Sequence, residues 1–362
     1  MGSNKLIYWF EEIGKEYNDR VGKKCANLGE MTRMNLPVPP GFAISIDMYE
    51  KFLQESELGE RISRYVSDLG ELKGVVITRF DEVSQNIRTM IESQPIPKDL
   101  ETEIVLCYEQ LCNKVGITDV PVSVRSAGTA SRPGMFETYL NIKGKADVLD
   151  NLKKVWSSAF TPRAIAFRVN KGISVDGDKL GVAVVKMVNA RAAGIGFTVD
   201  PVSGDSSKIV IEANWGLGEG VVSGVENVDR FVVDKQSSEI VERAVGEKIK
   251  QVVNKEKGAD WEDVPLDMRS IPCLNDEEIK GVAELAKILE ERLGQAQDME
   301  WAIDPDFPFP RSIFLLQTRP AKVAAKKAET ASDKLADKLV SGFKQIDLSE
   351  AKDKLKGIEF RF

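Results

Sequence analysis

Gln297-Asp298-Met299-Glu300-Trp301 and, after a Pro-rich turn, Leu316-Gln317-Thr318-Arg319 read together as one β-hairpin. Strand side chains alternate, so Asp298 and Glu300 share one face and Met299 and Trp301 the other, while Gln317 and Arg319 form a second polar pair. Two carboxylates and an amide oxygen are hard ligands of the kind Mg²⁺ takes when held against a polyphosphate. An arginine beside them can make two parallel hydrogen bonds to phosphate. For any single carboxylate, the solvated face of an edge hairpin is the simpler account. Four polar groups at alternating positions, flanked by aromatics, favour a site.

Upstream, the pattern alternates between helix and strand. Helical spacing covers residues 27–35, 48–53, 80–92 and 100–115, with strands at 42–45, 120–126 and 138–142. Thr161-Pro162-Arg163 opens a helix with an N-cap and a proline at its first position. From Leu180 the texture turns to β, with candidate strands at 182–188, 194–199, 208–213, 230–234 and 240–244. A clear amphipathic helix over Asp276–Leu293 precedes the hairpin. The expected class is mixed α and β, with lobes at 1–190 and 191–320 followed by a tail at 321–362. That tail carries ten Lys and Arg against seven Asp and Glu, so it is +3 while the rest is −10. It is expected to be helical around 324–340 and β-like at 358–362, and to serve either as a partner-docking segment or as a solvated extension.

Three further stretches can handle phosphate. Arg125 ends a strand before Ser126-Ala127-Gly128-Thr129-Ala130-Ser131-Arg132-Pro133-Gly134, a loop offering backbone N–H groups and a cation. Lys24 lies in the turn Val21-Gly22-Lys23-Lys24-Cys25, just ahead of a helix, although an exposed turn lysine is the more frequent explanation. Glu212 belongs to Ile211-Glu212-Ala213-Asn214-Trp215-Gly216-Leu217-Gly218-Glu219, whose glycines allow close backbone approach; an ordinary β-turn competes on equal terms. No G-x-x-x-x-G-K-[ST] or G-x-G-x-x-G exists, so Walker and Rossmann readings fail.

Composition narrows the chemistry. Among 362 residues there is no histidine, which removes Ser-His-Asp and Cys-His nucleophile systems, histidine-ligated zinc and any phosphohistidine on this sequence itself. A net charge of −7 argues against broad nucleic-acid binding. Four scattered cysteines without a CxxC fit reduced thiols, and no apolar run approaches a membrane span. With no signal-peptide core at the N-terminus, a cytoplasmic protein is expected.

In this order, the motifs resemble one family: the ATP-grasp domain of phosphoenolpyruvate synthase, pyruvate phosphate dikinase and rifampin phosphotransferase. The matching stretches are 22–31, 37–42, 122–139, 156–168, 194–204, 211–224 and 298–320. The resemblance implies two lobes with ATP between them and Mg²⁺ beside its phosphates. By position, Lys24, Arg125 and Arg319 match phosphate-binding and catalytic cations, and Glu300 and Gln317 match metal ligands, with Asp298 beside them. Ser126, Thr129, Met187, Val188 and Glu212 are further expected nucleotide contacts, with adenine against the hinge strand at 184–189. Val185 stands where many relatives carry glutamine.

Because the sequence has no histidine, the resemblance implies a hetero-oligomer in which a histidine-bearing partner subunit accepts the phosphoryl group. The arrangement is similar to the ATP-binding subunit of phenylphosphate synthase, which implies conversion of phenol, ATP and water to phenylphosphate, AMP and phosphate. The alternatives are a split phosphoenolpyruvate synthase or other dikinase subunit, and a nucleotide-sensing module without turnover.

Overall fold

A computed structural model describes residues 5–70, 77–130, 134–175, 178–224 and 227–322. The expected loop positions Ser131, Arg132 and Pro133 and the expected tail elements lie outside the described residues. Among the described residues, thirteen strands form two large sheets and one small one: β1 (Ile7–Trp9), β2 (Gly41–Ile44), β3 (Val122–Ala127), β4 (Thr138–Ile142), β5 (Gly181–Lys186), β6 (Ala192–Phe197), β7 (Lys208–Trp215), β8 (Asp229–Asp234), β9 (Ile240–Ala244), β10 (Lys250–Asn254), β11 (Ala259–Asp263), β12 (Gln297–Ile303) and β13 (Ile313–Pro320). The first sheet runs β1-β2-β5-β3-β4 and the second β13-β12-β6-β7-β8-β9, while β10 and β11 pair with each other. All of these pairings are antiparallel.

The first sheet is buried on both faces, and its strands sort their side chains by period two. Val122, Val124, Val182 and Val184 enter one core, packed by Val83, Ile87 and Ile91 of helix Ile77–Ser93 and Leu100, Ile104, Tyr108 and Leu111 of helix Lys98–Val115. Those spacings of three and four place one stripe of each helix on the sheet. The alternate residues Ala127, Ala183 and Val185 enter a second core together with Cys25, Leu28 and Met31 of helix Lys23–Arg33. Arg125 alternates with Val122 and Val124, so it is sent to this second side. Its register partner there is Ala183, whose small side chain leaves room for a guanidinium.

The second sheet is backed by helix Asp276–Leu293, over the range its periodicity predicts. Its start is fixed by a reciprocal cap in which Asn275 accepts from the Glu278 amide and Glu278 accepts from the Asn275 amide, both at 2.9 Å. Ile279, Val282, Ala283, Ala286 and Leu289 bury against Ile211, Phe231, Met299 and Trp301 in the same core that holds helix Lys23–Arg33. Both sheets therefore share apolar packing, and the described residues form one compact unit. Segment 187–191 joins the two sheets.

One local expectation is corrected. The helix expected over 27–35 begins at Lys23, so Lys24 sits in its first turn rather than ahead of it. The cause is Gly22, whose φ of +79° lets the chain leave the short helix Asn18–Val21 and re-enter helix at once. A Cβ there would lie 2.0 Å from the Ala127 carbonyl oxygen, so the lysine turn docks directly on the end of β3. The hairpin β10–β11, whose second strand is mostly exposed, carries too little apolar alternation to be read from sequence. Among the described residues no helix is long and apolar enough to cross a membrane.

Candidate functional site

A cavity of about 700 Å³ opens between the two sheets, within the size range of sites for small ligands. β3, β4 and β5 supply one wall; β12, β13 and the loop after β7 supply the other. Its character changes from one end to the other. Val185, Met187, Val188, Ala190, Ala302 and Leu316 make an apolar slot beside the inter-sheet segment, and Lys24, Arg125, Glu219, Glu300, Gln317 and Arg319 make a charged end.

Arg125 stands at the junction of the walls. Its Nη2 donates to Glu300 Oε2 at 3.1 Å and to Gln317 Oε1 at 3.5 Å, and its Nη1 donates to the Leu316 carbonyl at 3.4 Å. The carboxylate and amide can meet it because Glu300 and Gln317 are direct cross-strand partners. The next pair is Trp301 with Leu315, so Leu316 is an extra residue in the ladder. This β-bulge brings both Leu316 and Gln317 to the cavity, departing from simple alternation. Arg125 Nε and Trp301 Nε1 are buried donors without a partner in the protein. An anionic, acceptor-rich ligand fits such a lining, because unpaired buried donors are costly.

Lys24 approaches from the first turn of its helix, where backbone N–H groups and the helix dipole favour anions. Burial lowers its pKa to about 8, with the nearby charge of Arg125 acting in the same direction and Glu300 opposing. Asn27, on the same helix, donates to the Thr318 carbonyl at 2.8 Å and ties that helix to β13.

Asp298 has a different role from the one its spacing suggests. Arg319 grips it through Nε at 2.7 Å and Nη2 at 2.6 Å, and Asp298 is not among the cavity-lining residues, whereas Arg319 is. Burial raises the Asp298 pKa and the Arg319 charge opposes that rise. Asp298 is thus a holder of Arg319. Two other expected contacts fall away. Thr129 is exposed, with its carbonyl accepting from Asn18, and does not line the cavity. Glu212 pairs with Ile195, which pairs with Glu300, so a whole strand separates the two carboxylates. Ser126, Met187 and Val188 do line the cavity, as does Val185.

The sequence reading missed Glu219 as a site residue. It lines the cavity from the loop after β7, and its pKa is raised by burial, opposed by Arg125 and reinforced by Glu300. The Gly216-Leu217-Gly218 run before it was the available signal. Lys186 and Glu137 were also missed. Glu137 accepts two parallel hydrogen bonds from Arg88 at 2.7 and 2.8 Å. Among the described residues no three carboxylates, thiols or imidazoles lie close enough to hold a metal unaided. The pair Glu300 and Gln317 suits Mg²⁺ instead, which keeps several waters and takes substrate phosphate oxygens.

Comparisons with known proteins bear on this geometry. Residues 18–338 match the family model described as pyruvate phosphate dikinase, AMP/ATP-binding domain. The chain is 37% identical to the probable phosphoenolpyruvate synthase of Staphylothermus marinus, over 98% of this chain and 45% of that protein. It is 38% identical to the probable phosphoenolpyruvate synthase of Methanocaldococcus jannaschii, over 98% of this chain and 29% of that protein. The phosphoenolpyruvate synthase of Aeropyrum pernix is 35% identical, over 91% of this chain and 44% of its own length. The chain spans less than half the length of these three relatives.

Proposed function

The chain belongs to the family of the pyruvate phosphate dikinase AMP/ATP-binding domain, and from that premise we propose that its cleft binds ATP with Mg²⁺ and passes a phosphoryl group to a histidine outside this sequence. The observation that carries the proposal is the meeting of Arg125 with Glu300 and Gln317 in a cavity also lined by Lys24 and Arg319. Phosphoryl transfer needs positioning and charge neutralisation more than covalent help from protein groups. Lys24, Arg125 and Arg319 supply three cations for the triphosphate, and the slot of Val185, Met187, Val188, Ala190 and Ala302 takes the adenine. Glu300 and Gln317 would hold Mg²⁺, which when bound neutralises phosphate charge. The acceptor nitrogen attacks the β-phosphorus as its bond to the oxygen bridging to the α-phosphate breaks, so AMP leaves; water then cleaves the diphosphoryl group left on nitrogen to phosphate and phosphohistidine. The absence of histidine from these 362 residues supports an acceptor elsewhere, on a partner subunit or another segment.

For the final acceptor, the relatives favour a phosphoenolpyruvate synthase reading over the phenol reading, because those cited above carry that name. A non-catalytic sensor is disfavoured by the presence of the metal-suited pair together with all three cations. The test is incubation with Mg·ATP and a histidine-bearing acceptor protein from such a relative. AMP and an acid-labile phosphohistidine are expected on mixing, and neither with the chain alone. Phosphoenolpyruvate from added pyruvate supports the favoured acceptor; phenylphosphate from added phenol restores the other. No AMP under any combination removes the phosphotransfer reading.

A further inference from the structure

The hairpin β10–β11 has no part in the site just described, yet it reaches from one wall of the cleft to the other. At its base it is fastened to the loop after β7. The Leu217 amide donates to the Val252 carbonyl at 2.8 Å, Asn214 Nδ2 donates to the Lys250 carbonyl at 3.0 Å, and Gly216 bridges Val252. Gly220 packs beneath Val252 and Trp261, with space for only a methyl group before contact. This loop brings Leu217, Gly218, Glu219, Val222 and Ser223 to the cavity, so the hairpin is hydrogen-bonded to that part of the wall.

At its tip the hairpin touches the opposite sheet. Asn141, on edge strand β4, donates both hydrogens of its side-chain amide: to the Lys255 carbonyl at 2.6 Å and to the Gly258 carbonyl at 2.9 Å. Asn141 is 4% exposed and takes a φ of +54°, a left-handed conformation that asparagine tolerates better than most residues. Its neighbours on β4, Thr138, Tyr139 and Leu140, line the cavity. The contact therefore joins two cavity walls through groups with no other role in the site.

We propose that the β10–β11 hairpin is a clasp across the cleft, and that its release from Asn141 admits and discharges the nucleotide. The proposal rests on the nucleotide reading of the cavity. While the clasp is fastened, the loop carrying Glu219 and Val222 stays over the ligand. When both hydrogen bonds break, that loop and the hairpin swing away as one piece, with segment 187–191 joining the two sheets. Opening exposes two carbonyls and one amide to water, which can satisfy all three, so the contact suits repeated breaking.

The test uses fluorescent mant-ATP with Mg²⁺ and the full chain in stopped-flow binding and displacement. Asn141→Gly keeps the positive φ and deletes the amide, while Asn141→Asp keeps the φ and sets a carboxylate against two carbonyls. Both are expected to release nucleotide on the order of tenfold faster than wild type, with Asp the faster. Association is expected to be unchanged or quicker, because the open form is more populated. Hydrogen exchange without nucleotide should speed up in 214–223 and 250–263 together. A residue that merely supports β4 would instead lower the binding amplitude and melting temperature at an unaltered release rate, and that result overturns the clasp. Wild-type chain that binds no mant-ATP overturns the nucleotide reading and the clasp with it.

Discussion

The guanidinium of Arg125 lies 3.1 Å from the carboxylate of Glu300, and these two residues come from different sheets and are 175 positions apart in the chain. Their side chains are 17% and 18% exposed, so the pair is shielded but not sealed from water. A phosphate can take the guanidinium and a metal ion the carboxylate, each losing one partner and gaining another. On the proposed reading, Mg²⁺ and a polyphosphate would each take one member of this pair.

Glu300→Gln should separate metal from nucleotide. Calorimetric titration is expected to show affinity for Mg·ATP reduced by about tenfold or more, as for loss of a charged ligand. Affinity for ATP in excess chelator should hold or improve, because a negative charge is gone. Equal losses in both conditions would take Glu300 out of metal binding.

Asp298→Asn should behave otherwise. The change removes the anion that Arg319 grips at 2.6 Å, so the arginine loses its anchor and not the metal its ligand. Weaker binding is expected with and without Mg²⁺ alike. A selective loss of the Mg²⁺-dependent part would return Asp298 to the metal.

Lys24 predicts a pH dependence with a definite sign. On the proposed reading its ammonium meets phosphate, and burial lowers its pKa from 10.5 to about 8, so the charged form is held only below that value. Nucleotide affinity should be flat at neutral pH and fall above about 8, by at most roughly tenfold per pH unit, with proton uptake on binding. Lys24→Gln should flatten the curve. A wild-type profile level to about pH 10 would contradict the placement of Lys24 against phosphate.

The same shift bears on stability. A lowered lysine pKa means the folded chain disfavours the charge, a penalty fully present below about pH 8 and lost as pH rises to 10.5. Lys24→Met should therefore stabilise the ligand-free protein near neutrality by about 1–3 kcal/mol while weakening nucleotide binding. Thermal unfolding reads the first effect and titration the second. A lower melting temperature would mean the ammonium is not penalised.

Gly22→Ala should do the reverse. A methyl group would meet the Ala127 carbonyl at 2.0 Å in a backbone of φ +79°, so the lysine turn cannot stay docked on β3. Destabilisation of about 2–4 kcal/mol and loss of nucleotide binding are expected. Gly172→Ala is the control: φ is +67° but nothing lies within 4 Å. It should cost only about 1 kcal/mol.

Much of this chain was legible before its structure. Helix Asp276–Leu293, strand β9 and the β12–β13 hairpin follow from repeats of 3.6 and 2 residues. Those signals are local, because each residue's face is set by its near neighbours. The presence of cations, carboxylates and hydroxyl-bearing residues, and the absence of histidine, are likewise properties of the string itself.

The tertiary structure decided which of those groups meet. Only the docking of one sheet on the other sets Arg125 against Glu300 and its cross-strand partner Gln317, and the bulge at Leu316 adds that residue's carbonyl. The register of β12 on β13 gives Asp298 to Arg319, while the packing of strands leaves Thr129 outside and keeps Glu212 a strand away. The physical reason is distance along the chain. Periodicity fixes the direction of a side chain relative to its own strand, whereas a site needs the relative placement of strands whose shared apolar core is assembled from both halves of the sequence.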